Sequence, residues 1–143
     1  IDWRVDYAFD LPSMFGLQDA GELRLSTLGT NFLSNEETRD VSAPEEVTDV
    51  LTTMSRPEWI FNLNATWSVG DLSLGWKGRY ESEQLLSGIE LDDLESDPDF
   101  ANITQADGAW VHDFSISYFL REELEIYGGI NNAFDEEPYL GTL

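Results

Sequence analysis

The sequence predicts an all-β fold: part of an antiparallel transmembrane β-barrel, with about six strands in three hairpins, short turns at one end and long loops at the other. Three observations lead there. Large apolar residues alternate with polar ones over runs of about ten residues, and the connections between the runs alternate short and long. No apolar stretch reaches the roughly 18 to 20 residues that a membrane-spanning helix needs.

The first run, Ile1 to Leu11, sets Ile1, Trp3, Val5, Tyr7, Phe9 and Leu11 against Asp2, Arg4, Asp6, Ala8 and Asp10. Period two is the side-chain repeat of a strand, so one face is apolar and the other charged. Pro12 to Gly21, with its Pro, two Gly and Asp, reads as a connection. The second run, Glu22 to Leu33, begins with Leu23 and Leu25 but then puts Leu28 and Phe32 on the opposite parity. A β-bulge between Thr27 and Gly29 is the expected cause.

Between Arg56 and Glu83, two alternating runs flank Gly70-Asp71. Gly in the first central position suits a two-residue type II′ hairpin turn. That turn pairs Val69 with Leu72, Trp67 with Leu74, Ala65 with Trp76, Leu63 with Gly78 and Phe61 with Tyr80, all on one face. The other face then receives Thr66 with Gly75, Asn64 with Lys77 and Asn62 with Arg79, so turn register and hydrophobic pattern agree. A third pair follows, with Trp110, His112, Phe114, Ile116, Tyr118 and Leu120 answered by Leu124, Ile126, Gly128 and Ile130 after Arg121-Glu122-Glu123. Its polar face carries Asp113, Ser115, Ser117, Glu125, Gly129 and Asn131.

The connections at 12–21, 70–71 and 121–123 are short, while those at about 34–56 and 82–109 are long and must leave the same end of the sheet. Two structureless loops longer than about 15 residues are uncommon in a compact soluble domain, whereas short turns at one end and long loops at the other mark an outer-membrane barrel. Twelve residues at about 3.3 Å each, tilted near 45°, project to about 28 Å, the thickness of a bilayer's hydrocarbon. Mid-strand polar positions are Asn62, Asn64, Thr66, Ser68, Ser73, Gly75, Ser115, Ser117 and Gly129. Small uncharged groups of this kind suit a hydrated interior better than the Lys- and Glu-rich exterior of a soluble sheet. Trp3, Trp59, Trp67, Tyr80, Trp110 and Tyr118 fall near strand ends, where amphipathic rings sit at membrane interfaces.

Composition narrows the function classes. With 29 acidic residues against 7 Lys and Arg, the formal charge is −22, so a polyanion such as nucleic acid is no partner. No Cys and a single His exclude a disulfide scaffold, a thiol nucleophile and the usual zinc site. No nucleophile–base pair, Gly-rich phosphate cradle or helical His pair is present, and enzymatic activity is not expected. The chain opens at Ile1 inside a strand pattern with no initiator Met, basic segment or apolar leader. It is read as residues 1–143 of one incomplete barrel domain.

The segment Gly129-Ile130-Asn131-Asn132-Ala133-Phe134-Asp135-Glu136-Glu137-Pro138 resembles the G-apolar-x-N-L-F-D-x-x-P motif that precedes the last strand of TonB-dependent outer-membrane receptors. Arg56 to Tyr80 and Asp10 to Thr30 are similar to that family's late hairpins. Ala133 stands where Leu is usual, and Glu136 where a base is common. The resemblance implies active uptake of a large nutrient ligand, an oligosaccharide or an iron-siderophore, into the periplasm of a Gram-negative bacterium. It implies partners as well: outer-membrane lipid, an extracellular ligand, and the TonB complex acting through a plug that precedes this part of the barrel. The long loops become extracellular and the short turns periplasmic. A soluble carbohydrate-binding β-domain and a passive outer-membrane pore are the alternative readings.

Candidate site residues follow from these placements. Lys77 and Arg79, opposite Asn64 and Asn62, face the polar interior with Asp113 and could meet plug carboxylates or an anionic ligand. Trp59, Phe100 and Trp110, near the loop end, could stack on a sugar ring or anchor the interface. No cofactor is expected; Ca²⁺ is the one ion the acidic loops could take, at Asp92, Asp93, Glu95, Asp97 and Asp99, through oxygen ligands. Pro98 occupies the place where an EF-hand loop needs Gly, so that loop type is excluded. A solvated acidic face that keeps like-charged surfaces apart is the plainer reading.

Overall fold

The computed structural model describes residues 1–13, 19–38, 42, 44–53, 55–85, 105–121 and 123–137. Six long strands form one antiparallel meander: β1 (Asp2–Asp10), β2 (Glu22–Asn31), β5 (Trp59–Val69), β6 (Leu72–Glu81), β9 (Ala109–Arg121) and β10 (Leu124–Ile130). They pair in sequence order β1-β2-β5-β6-β9-β10, which leaves β1 and β10 as the edges. Four short strands lie in the long loops, namely β3 (Glu36–Thr38), β4 (Val47–Asp49), β7 (Gln84–Leu85) and β8 (Gln105–Ala106). The loops are therefore not structureless: β3 pairs with β4 and β7 with β8.

The central hairpin has the register that its turn demands. Val69 faces Leu72, Ala65 faces Trp76 and Phe61 faces Tyr80, while Asn64 faces Lys77 and Asn62 faces Arg79. Gly70 has φ +53°, and Asp71 is not among the positive-φ residues. One left-handed residue, in the first central position, is the signature of type II′ rather than type I′.

No bulge interrupts β2. Its ladder to β1 runs unbroken from Tyr7–Leu25 through Val5–Thr27 to Trp3–Gly29, and its ladder to β5 is equally regular. The apolar row continues through Gly29 because a neighbouring ring fills the space: a Cβ there would run into the indole of Trp3. Leu28 consequently lies on the polar face, opposite Arg4 and Asn62, and is 48% exposed. The register shift falls instead between Leu124 and Glu125, at the β9–β10 turn.

Register carries each face across the sheet. Tyr7, Leu25, Ala65, Trp76, Phe114 and Ile130 form one continuous cross-strand row, and Phe9, Leu23, Trp67, Leu74, Ile116 and Gly128 form the next. The opposite face carries rows such as Asp6, Ser26, Asn64, Lys77 and Asp113. Phe119 and Tyr127 share that polar face near the turn end, an exception to the alternation.

Nothing among the described residues covers the apolar face. Although hydrophobic residues make up 41% of the chain, the buried ones among the described residues are Ala20, Val50 and Ala106. Two of those three lie in the long loops rather than on the sheet. Val5, Ile116 and Ile126 are each about half exposed, at 55%, 49% and 56%. The rings on this face do not converge into a dry interior.

At the turn end of the sheet Ala20, in the connection before β2, is buried, and its carbonyl accepts from Trp67 Nε1 at 2.6 Å. At the other end, the two long loops dock on each other. The Leu85 N–H donates to the Thr52 carbonyl at 2.6 Å, the Ser55 N–H donates to Gln84 Oε1 at 2.6 Å, and Thr53 bridges to Leu85. Val50, Pro57, Ser82, Gln84 and Ala106 are buried at or beside this junction. Thr52 and Ser55 both adopt φ +66°, and for the β-branched Thr52 this backbone region is an outlier that persists only where the surroundings enforce it.

Candidate functional site

The docked loops overhang the polar face of the sheet and enclose a cleft of about 800 Å³. Its floor is the polar parity of the sheet: Ile60 from β5, Arg79 and Glu81 from β6, and Ala109, Val111 and Asp113 from β9. Ser55, Pro57 and Gln84 form the loop wall. Asn131, Asn132, Glu136 and Glu137 close the remaining side. A smaller hollow nearer the β1 edge opens on the same face, beside Asp6, Arg24, Asn64 and Thr66.

The wall after β10 is held in one shape by its own asparagine. Asn132 Nδ2 donates to the Glu136 carbonyl and Oδ1 accepts from the Glu136 N–H, both at 2.9 Å. The Asn132 N–H donates to Asp113 Oδ1 at 2.8 Å, and the Ala133 N–H donates to the His112 carbonyl at 2.7 Å. Asn132 and Asp135 take φ +48° and +55°, which their short polar side chains tolerate. The turn straddles the sheet: Asn132 and Glu136 line the cleft, while the Phe134 ring stands edge-on to His112 and Phe114 on the apolar side.

The sequence-predicted residues divide between the faces. Arg79 and Asp113 line the cleft, and Asn62, Asn64 and Lys77 share their face in adjoining cross-strand positions. Lys77 stands directly opposite Asp113 without an ion pair; Asp113 Oδ1 turns to the Asn132 backbone instead. Trp59 and Trp110 lie on the apolar face, where they extend a chain of rings at the loop end. Its centroid separations are 5.8 Å for Trp3–Phe61, 5.6 Å for Phe61–Tyr80 and 5.0 Å for Tyr80–Trp110. Trp59 lies beside Phe61 with its ring tilted by 37°, and its Nε1 donates to Glu58 Oε1 at 3.0 Å. His112 continues the chain toward Trp76, whose Nε1 donates to His112 Nδ1 at 3.2 Å.

Phe100 and the acidic set Asp92, Asp93, Glu95, Asp97 and Asp99 lie outside the described residues. Among the described residues, no group of three or more Asp, Glu or His side chains is placed to hold a metal ion.

Sequence reasoning missed Glu81, Gln84, Asn132 and Glu136. Glu81 was within reach, since it shares the parity of Arg79 two residues on. Gln84 was not, because only the docking of one loop on the other brings it over the sheet.

No family model, curated protein or solved structure matches this chain.

Proposed function

We propose that the chain is part of the wall and loops of an outer-membrane, TonB-dependent receptor that takes up a large nutrient ligand. The observation that carries the reading is the uncovered apolar face. A soluble monomer rarely exposes a contiguous apolar patch beyond a few hundred Å². Here apolar side chains more than a third exposed stand on β1, β2, β9 and β10, with half-buried ones on β5 and β6 between them, on a meander whose polar face is hollowed. Lipid is the solvent that suits such a face, and water suits the other. The ring chain from Trp3 to Trp110 lies at one level near the loop end, where an interface belt belongs.

In this reading the docked loops face the outside and the cleft beneath them opens to arriving ligand. The turn built on Asn132 supports the family resemblance, because its Asn and Phe each have a defined structural task. Closed bacterial barrels use at least about eight strands, so β1 and β10 pair with further strands of the receptor. The receptor's plug and its coupling to the TonB complex come from outside this segment.

The test is solvent dependence. The isolated chain is expected to aggregate in plain buffer and to give a dispersed β-rich species in detergent or vesicles, with Trp76 fluorescence quenched by brominated acyl chains. A monomeric species with a cooperative melt in plain buffer overturns the reading in favour of a soluble β-domain.

A further inference from the structure

We propose that the cleft under the docked loops binds a zwitterionic ligand, a short peptide with free termini, its carboxylate on Arg79 and its ammonium on the facing carboxylates. This rests on the reading above that the polar face lines an aqueous interior reachable from outside. A volume of about 800 Å³ lies in the range of pockets that hold small organic ligands.

The behaviour of Arg79 is the telling observation. Arg4 and Arg24, on the same face, each form an ion pair with a carboxylate two residues away on their own strand, Asp6 and Glu22. Arg79 has Glu81 in the same relation and Asp113 one step away on β9, yet it makes no ion pair among the described residues. Its exposed guanidinium lines the cleft as a free, planar, five-donor fork, the group best shaped to take a carboxylate.

Around it stand Glu81, Asp113, Glu136 and Glu137. Asp113 is anchored through Oδ1 to the Asn132 N–H, and the Asn132 side chain grips the Glu136 backbone on both sides. Asn132 is thus a positioning residue for one carboxylate wall. A purely anionic ligand meets four acids for one cation, a purely cationic ligand leaves Arg79 without a partner, and an apolar ligand strips water from all five charges unpaid by any contact. A ligand with an ammonium at one end and a carboxylate at the other satisfies both sets.

The experiment uses the chain folded in detergent micelles and calorimetric titration with three probes: trialanine, its N-acetyl form and its C-terminal amide. Trialanine is expected to bind, and blocking either terminus to weaken it roughly tenfold or more, the usual loss for a charge-assisted contact. Arg79→Gln should abolish the preference for free acid over amide while keeping the penalty for N-acetylation. Glu136→Gln should do the reverse, and Glu125→Gln, outside the cleft on the same face, should change neither. Equal affinity for all three probes, tighter binding of the amide than of the acid, or no binding of trialanine to folded chain overturns the proposal. Should the chain prove monomeric in plain buffer, the same titration there still decides the cleft; failed binding alongside detergent-dependent folding leaves the membrane reading standing.

Discussion

Arginine placed at three positions of β9 tests both the sidedness of the sheet and the identity of its apolar solvent. Ile116 lies near the middle of the strand on the apolar face, opposite Leu74 and Gly128 and 49% exposed. Ser117, the next residue, points the other way, opposite Ser73 and Tyr127. Leu120 shares the face of Ile116 but lies four residues nearer the turn, which in the proposed bilayer setting, at about 3.3 Å per residue and a tilt near 45°, is about 9 Å nearer the interface. Arginine on the lipid face costs about 2–4 kcal/mol at the midplane and about 0–1 kcal/mol near the interface. Ile116→Arg should therefore shift the folding equilibrium by roughly thirty- to a thousandfold, and Leu120→Arg by less than roughly fivefold. Ser117→Arg, reaching into water between Ser73 and the 82% exposed Tyr127, should be close to neutral. The assay is urea-titrated folding into phosphatidylcholine vesicles, followed by tryptophan emission. Equal costs at Ile116 and Leu120 would refute lipid contact, because a dry protein interior has no such depth gradient. Equal costs at Ile116 and Ser117 would refute the two-faced sheet itself.

Three further outcomes follow from local geometry. Gly29→Val should destabilise the chain by about 1–3 kcal/mol through overpacking against the Trp3 indole, and Trp3→Ala in the same chain should recover part of that loss in a double-mutant cycle. The Thr27 hydroxyl is buried without a hydrogen-bond partner, so Thr27→Val should raise stability by about 1 kcal/mol in the same urea titration. Asp49 accepts N–H bonds from Leu51 at 3.0 Å and Asn35 at 3.1 Å, and these hold its carboxyl below the ordinary value of 3.8. A depressed folded-state value means that its contribution is present above pH 3.8 and is lost as the pH falls further. Amide exchange at Asn35 and Leu51 should accelerate in that acid window, and Asp49→Asn should remove the pH dependence.

The parts of the fold legible in the sequence are those governed by local rules. Period-two alternation placed the six long strands, and Gly70 fixed the register of every pair from Val69–Leu72 to Phe61–Tyr80, because a two-residue turn leaves no freedom to slip. The bulge expected in β2 fails for a non-local reason. Parity alone flagged Leu28, but the space over Gly29 is filled by Trp3 from the neighbouring strand, and no inspection of β2 by itself supplies that ring. The short hairpins in the loops are two- and three-residue strands, too brief for periodicity to register. At the cleft, the sheet-borne residues Arg79 and Asp113 were readable from parity, whereas Ser55 and Gln84 arrive through contacts between segments 29 residues apart. Asn132 was visible as part of a motif, but its pair of hydrogen bonds to the Glu136 backbone became apparent only in the folded structure.

The docked loops also set a timetable. Their junction joins Thr52 and Thr53, which precede the central hairpin, to Gln84 and Leu85, which follow it. The junction therefore spans the whole central hairpin, and in the proposed receptor it would close only after β5 and β6 have zipped together. If the chain is a receptor wall as proposed, its mouth would be completed by the segment that arrives after the hairpin, and a nascent chain stalled before that point would lack the seal.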